Sequence, residues 1–383
     1  MNQFSAMVEQ VAPVLRANAA VCDEESAFPV ASMAALRDSG LMGLLVPREY
    51  GGLGGDLAAF VEVSQKLSAQ CLSTGQIWAM HCFQVDAIAR HGTSELAATV
   101  LPAVAAGRCY IASVTSERGR KADLFSAASP LRADGDSLLI ERSAPVVTGG
   151  AHADGYLITM RAAEAAAESE VSFIYADRAD LVCEVTSGWN ALGMRATDSI
   201  GMELKGRVPT TNLVGGPGGF GDVARQSMVP LSHLGWSACW LGAARGAFEG
   251  LTRFAAKRGA DSRTDLFYER LGRVRIDLEL LSAYLRRVRE EVELARVDGT
   301  PLDHPRIRLQ LNTLKIAAAE LSFQAAHRMM QIAGLRAGYL KDSELGIERL
   351  FRDLRSAALN HADDTMTVGV GALSLLDRGV TLI

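Results

Sequence analysis

The sequence predicts a mainly α-helical chain with a central β domain. An N-terminal helical domain is expected over 1–107, an antiparallel β barrel or sandwich over 108–221 and a C-terminal four-helix bundle over 222–383. Three observations carry this expectation. Before residue 107, apolar residues recur three and four positions apart, the spacing of one helix face. From 108 to about 215, short alternating or β-branched stretches are divided by turn signals. From about 222 the helical spacing returns and persists to the end of the chain.

The elements follow in order. Residues 32–36 and 57–61 carry helical apolar spacing, and between them Gly51, Gly52, Gly54 and Gly55 mark a tight surface loop. Strands are expected at 110–115, 137–141, 156–160, 171–175 and 181–185, with a turn at 133–136 and an Ala/Glu-rich exposed turn or short helical insertion at 162–169. Helices are expected at 222–260, 267–299, 305–336 and 346–377. Asp303 is placed to cap the third, Pro305 suits an early helical position, and Gly334 suits its end.

At 383 residues and 49% apolar content, the chain can bury roughly two or three packed units. No apolar run approaches the roughly 18–20 residues of a membrane span. The start Met1-Asn2-Gln3-Phe4 lacks the basic and apolar blocks of a secretory signal, so a cytoplasmic protein without a membrane partner is expected. The formal charge of −5 has no clustered basic run, which argues against nucleic acid as the partner. Six scattered cysteines form no Cys-x-x-Cys pair, which points to free thiols and to no metal site.

Gly216-Pro217-Gly218-Gly219-Phe220-Gly221 has the spacing of a dinucleotide fingerprint, but no strand–helix–strand unit surrounds it and Pro217 removes an amide donor. A strand-to-helix linker is the preferred reading.

Several strings, taken in order, resemble the acyl-CoA dehydrogenase family over nearly the whole chain. Residues 44–52 (LLVPREYGG) resemble its N-terminal turn, 114–117 (VTSE) the strand beside the flavin, and 146–154 (VVTGGAHAD) a second flavin-side segment. Residues 192–199 (LGMRATDS), 331–334 (QIAG) and 348–353 (ERLFRD) are similar to further family strings. The resemblance implies an acyl-CoA dehydrogenase-like fold and FAD held between the β domain and the bundle. It implies that Thr115 and Thr148, with Ser113, meet the ring edge. Arg258 falls on the family's pyrophosphate arginine, although the Phe-Gly that should follow is missing and Arg263 or Arg270 is an alternative. Gln331 and Gly334 would complete the same site in a neighbouring subunit, with Leu335 in place of a second glycine. A site shared in this way implies a homodimer or homotetramer. Arg352 and Asp353 read as a structural ion pair.

The family reaction removes an α-proton with a carboxylate while hydride leaves the β-carbon for the flavin. Here the glutamate position, nine residues after Arg352, holds His361, and the family's alternative position on the first bundle helix offers Ser232 and His233. His361 is the expected base because imidazole titrates near neutrality, with Asp363 and then Asp364 as successors. Val146 replaces the tryptophan that usually covers the flavin. Lys121 stands near the acyl mouth as a group for phosphate or carboxylate, and His233 joins it as a substrate-side residue. His233, Trp236 and Trp240 form one helical stripe, which also suits plain core packing.

Three functions remain in play. The first is α,β-dehydrogenation of an acyl thioester, on CoA or a carrier protein, with a displaced base and an electron-transfer partner. The second is a monooxygenase on the same fold, fed reduced flavin by a separate flavin reductase. The third is a catalytically degenerate scaffold subunit.

Overall fold

The computed structural model describes residues 3–119, 123–257 and 264–380. The chain opens with five helices: α1 (Gln3–Glu25), α2 (Val30–Asp38), α3 (Leu57–Ser68), α4 (Leu72–His91) and α5 (Ser94–Ala105). Asp56 caps α3 by accepting a hydrogen bond from the Ala59 amide at 2.8 Å, and Thr93 caps α5 through Leu96. α4 is buried along most of its length and packs against α3 and the bundle. It is the shared wall of the molecule.

Eight strands follow: β1 (Ile111–Val114), β2 (Arg132–Asp134), β3 (Ser137–Thr148), β4 (Gly155–Arg161), β5 (Val171–Asp177), β6 (Leu181–Ser187), β7 (Ser199–Pro209) and β8 (Leu213–Val214). They form two four-stranded sheets, ordered β1-β4-β5-β8 and β2-β3-β7-β6. All pairs are antiparallel except β1 with β4. β3 runs well past the expected 137–141. β7 was not among the expected strands, although Ile200, Met202, Leu204 and Val208 alternate with Glu203, Lys205 and Arg207 in the period of a half-buried strand. The fingerprint-like glycines lie between β8 and the short helix α6 (Phe220–Val223), where Gly216 and Gly218 take positive φ, as a linker does.

The bundle comprises α7 (Val229–Lys257), α8 (Asp265–Asp298) and α9 (Pro305–Gly334), followed by α10 (Ile347–Arg355) and α11 (Asp363–Leu373). A π-turn over Ala224–Met228 leads into α7. His304, not Asp303, caps α9, with its ring nitrogen accepting from the Arg306 amide at 3.4 Å. Gly334 ends α9 with φ +73. The expected fourth helix over 346–377 is two helices: the chain breaks at 356–362, where His361 takes φ +50, a conformation unfavourable to a side chain with a Cβ.

Arg352 and Asp353 do not pair with each other. Arg352 holds Asp23 of α1 at 2.6 Å and Glu348 at 2.8 Å, while Asp353 accepts the Met194 amide at 2.5 Å. Adjacent positions on a helix point about 100° apart, so the two side chains serve different neighbours.

Candidate functional site

A slot of about 540 Å³ opens where the ends of β1, β3 and β7 meet α4, α7 and α10. Ser113 on β1 and Thr115, just past the strand's end, both line the slot. Thr148 sits opposite Ser199 in the β3–β7 register, and a bulge between Ala144 and Val147 sets that alignment. The result is a chain of hydroxyls: Thr148 Oγ1 lies 3.0 Å from Ser199 Oγ, which lies 2.8 Å from Thr197 Oγ1. Thr197 in turn donates to the Met194 carbonyl at 2.8 Å. Three of the expected flavin-side residues thus share one wall.

The loop preceding β7 forms another side. Met194 and Asp198 both take positive φ around a single tight turn. A Cβ on Gly193 would stand 2.1 Å from the Arg352 carbonyl oxygen, so only glycine fits against α10. Trp189 donates its indole N–H to the Met194 carbonyl at 2.9 Å and lines the slot. α4 contributes Gln76, Met80, Phe83 and Gln84 from one helical face.

His361 stands at the open end, where the slot meets a second cavity of about 460 Å³ that also holds His233, Arg308 and Asn312. The His361 ring lies 5.3 Å from Trp236, and Trp236 lies 6.5 Å from His233, centre to centre. His233 is buried, and burial followed by the nearby His361 and Lys315 lowers its pKa to about 3. His361 lines both cavities and is exposed to them. The protein packed around its ring, then the Lys315 ammonium, lowers its pKa to about 4. Water in the cavities moderates that depression, and a ligand that displaces the water sharpens it. Both rings are neutral at pH 7.

Asp363 does not face the slot. It receives the Lys315 ammonium at 2.5 Å, and burial, partly offset by that lysine, raises its pKa. Gln331 and Gly334 lie exposed at the end of α9, away from the slot, with the Gln331 amide 3.1 Å from His327 Nε2. Lys121 and Arg258 lie outside the described residues.

The sequence reading missed Gln76, Gln84, Trp189, Thr197 and Ser199. The last two lie inside the quoted 192–199 string and were legible there; the glutamines sit in a helix whose burial is nearly continuous, so no polar stripe marks them. Among the described residues lining the slot there is no carboxylate. Among those residues, too, no group of three His, Cys, Asp or Glu side chains is placed to hold a metal ion, and no helix is long and apolar enough to cross a membrane.

A helical domain, a β-sandwich and a helical bundle meeting at one hydroxyl-walled slot define an acyl-CoA dehydrogenase-like architecture. The chain belongs to the acyl-CoA dehydrogenase family: residues 2–108 match the family's N-terminal domain and residues 222–360 its C-terminal domain. It is 25% identical to the mitochondrial short-chain specific acyl-CoA dehydrogenase of Bos taurus, over 88% of this chain and 80% of that one. It is 23% identical to the dibenzothiophene monooxygenase of Rhodococcus qingshengii, over 98% of this chain and 93% of that one. In fold it is similar to FMN-bound TdsC of Paenibacillus sp. A11-2, with a TM-score of 0.87 at 21% identity, covering 100% of this chain and 99% of that one.

Proposed function

We propose that this chain is a flavin-dependent oxidoreductase whose slot serves oxygen transfer to a small, largely apolar substrate, with FAD or FMN as cofactor. The observation that carries this reading is the lack of any carboxylate among the described residues of the slot. Dehydrogenation of a thioester needs a base able to take a weakly acidic α-proton. A neutral imidazole with a pKa near 4 is a poor one, whereas oxygen transfer does not require it. The similarity to a monooxygenase over almost the full length of both chains agrees with this reading.

The residues present fit a flavin. Ser113, Thr115, Thr148 and Ser199 offer hydroxyls along one edge, and Met80, Phe83, Val146 and Trp236 offer apolar faces. Gln76 Oε1, Gln84 Oε1 and the Trp236 indole N–H are buried and find no partner among the described residues. When bound, a flavin supplies the redox chemistry, activating O2 in its reduced state and accepting hydride in its oxidised state. The chain's own groups do the rest. The hydroxyl wall orients the ring edge, and Phe83, Leu124 and Met228 exclude water. His361, neutral and at the mouth, holds or passes a proton to the substrate's polar atom.

A second reading, α,β-dehydrogenation of an acyl thioester with His361 as base, is favoured by the placement of His361 within the slot at the family's base position and by the similarity to a short-chain acyl-CoA dehydrogenase. A third, a scaffold subunit, requires that the slot hold no flavin. A homodimer or homotetramer is part of the proposal, with Gln331, Gly334 and Arg258 serving the partner's site. Exposed Leu266, Ile276 and Leu280 on α8 supply apolar surface for such an assembly. The source of electrons is proposed to be a flavin reductase, or an electron-transfer partner under the second reading.

The deciding experiment starts from purified, flavin-reconstituted protein. O2 consumption that depends on a flavin reductase and an aromatic or amine substrate, with no anaerobic bleaching by a panel of acyl-CoAs, is expected. Bleaching by an acyl-CoA would overturn the oxygen-transfer reading in favour of dehydrogenation. Failure to take up any flavin would leave the scaffold.

A further inference from the structure

One buried charge has no part in the chemistry above. Lys315 lies in the middle of α9 with its side chain fully buried. An ammonium carries three donors, and each has an acceptor here. Lys315 Nζ donates to the Ala357 carbonyl at 3.0 Å, the His361 carbonyl at 2.9 Å and Asp363 Oδ1 at 2.5 Å. It also sits 5.7 Å from the centre of the Trp240 ring. All three acceptors belong to the break between α10 and α11. Two are backbone carbonyls at a helix end, where no intrahelical partner exists. The third stands in the first turn of the next helix. His361, the residue with φ +50, lies between them.

We propose that Lys315 is a positioning residue: its ammonium ties the end of α10 to the start of α11 and so holds His361 in its left-handed conformation, with the ring at the boundary of the two cavities. Ser356 Oγ caps the Asp353 carbonyl at 2.6 Å, but the strained position 361 carries no glycine. α11 has no side-chain cap at its N-cap, Ala362, and Lys315 is the side chain that bridges the turn to the first residue of that helix. This inference deepens the reading of His361 as the proton-handling group, and it rests on that reading for its functional meaning alone.

The lysine also acts on the ring as a charge. The charged and titratable groups that act on His361 or share its slot are Lys315 from α9, His233 from α7, and Arg352 and Arg355 from α10, while Asp363, with Asp364 next to it on α11, pairs with Lys315. Across the second cavity stand Asp123, Arg225, Asp303 and Arg308, with Arg225 paired to Asp222 and Asp303. Lys315 is the charge that adds to desolvation in favouring the neutral imidazole. One buried ammonium thus ties down the backbone at His361 and adds to desolvation in keeping its ring neutral.

The test is a histidine titration by NMR on the full-length protein, with flavin uptake followed in parallel. The double variant Lys315→Met/Asp363→Asn removes both buried charges together, so neither is stranded. Its His361 midpoint is expected to rise above that of the unaltered protein, because the Lys315 contribution is lost while desolvation remains, and flavin absorbance is retained. A folded double variant whose His361 midpoint matches that of the unaltered protein overturns the proposal. Should the variant not fold, the unaltered protein labelled with 15N-lysine decides. A Lys315 ammonium signal, protected from exchange and moving with the His361 titration, supports the tie, and a signal indifferent to that titration overturns it. Failure of the proton-handling reading looks different: His361→Ala would leave turnover unchanged, while the Lys315–His361 coupling is still seen in the unaltered protein.

Discussion

His361 adopts backbone angles that cost a residue with a Cβ on the order of 1–3 kcal/mol, and such costs persist where the surroundings over-determine them. The surroundings here are the Lys315 ammonium, the Trp236 ring and the two cavities. His361→Ala is therefore expected to lower turnover on the true substrate about a hundredfold, the low end for a lost proton-transfer group, while leaving flavin affinity close to native. Steady-state kinetics beside a flavin titration checks this; equal losses in both would assign His361 to cofactor binding. Gly193 is the second sensitive residue. Gly193→Ala places a methyl against the Arg352 carbonyl, and overpacking of this kind costs about 1–3 kcal/mol. Urea unfolding should show that loss, and a change of the flavin spectrum should accompany it, because Met194 beside it lines the slot.

At the scale of elements, α10 is the hub. Arg352 reaches α1 through Asp23, the preceding turn of its own helix through Glu348, and the Leu192 carbonyl of the loop before β7 at 3.2 Å. Those carboxylates raise its pKa against burial, so it stays charged. Arg352→Met strands two largely buried carboxylates, and loss of one partner from such a network costs about 3 kcal/mol. Chemical denaturation read by tryptophan fluorescence measures it; a loss under about 1 kcal/mol would mean that water replaces the arginine. The 346–353 stretch was legible as helix because its apolar positions are helically spaced. The break after it was not, because no Gly or Pro falls between 356 and 362; its cause is a lysine about forty residues earlier in the chain.

At the scale of the whole molecule, stability should fall as pH rises from about 4 to 7 through one group. Asp353 is buried, and burial raises its pKa to about 7, against the lowering effect of the Met194 amide. The folded chain then holds a proton that the unfolded chain, with an ordinary aspartate, releases near 3.8. That contribution is fully present below about 4 and is lost as pH rises through 7. Asp353→Asn keeps an acceptor for Met194 and removes the titration. Its melting temperature is expected to vary less than native between pH 5 and 8. A native-like pH slope in the variant would place the titration elsewhere.

The order of helical domain, strands and bundle was written in the sequence, because hydrophobic periodicity reports which face of each element is buried. The family strings also marked Ser113, Thr115, Thr148 and His361 as residues to examine. Only the folded chain brought them to one slot, since β3–β7 register, α4 packing and the Lys315 tie join residues far apart in the chain. The separation of Arg352 from Asp353 and the withdrawal of Asp363 from the slot to Lys315 were likewise decided in three dimensions. Periodicity tells a residue which way to face; what it meets there depends on the elements packed opposite.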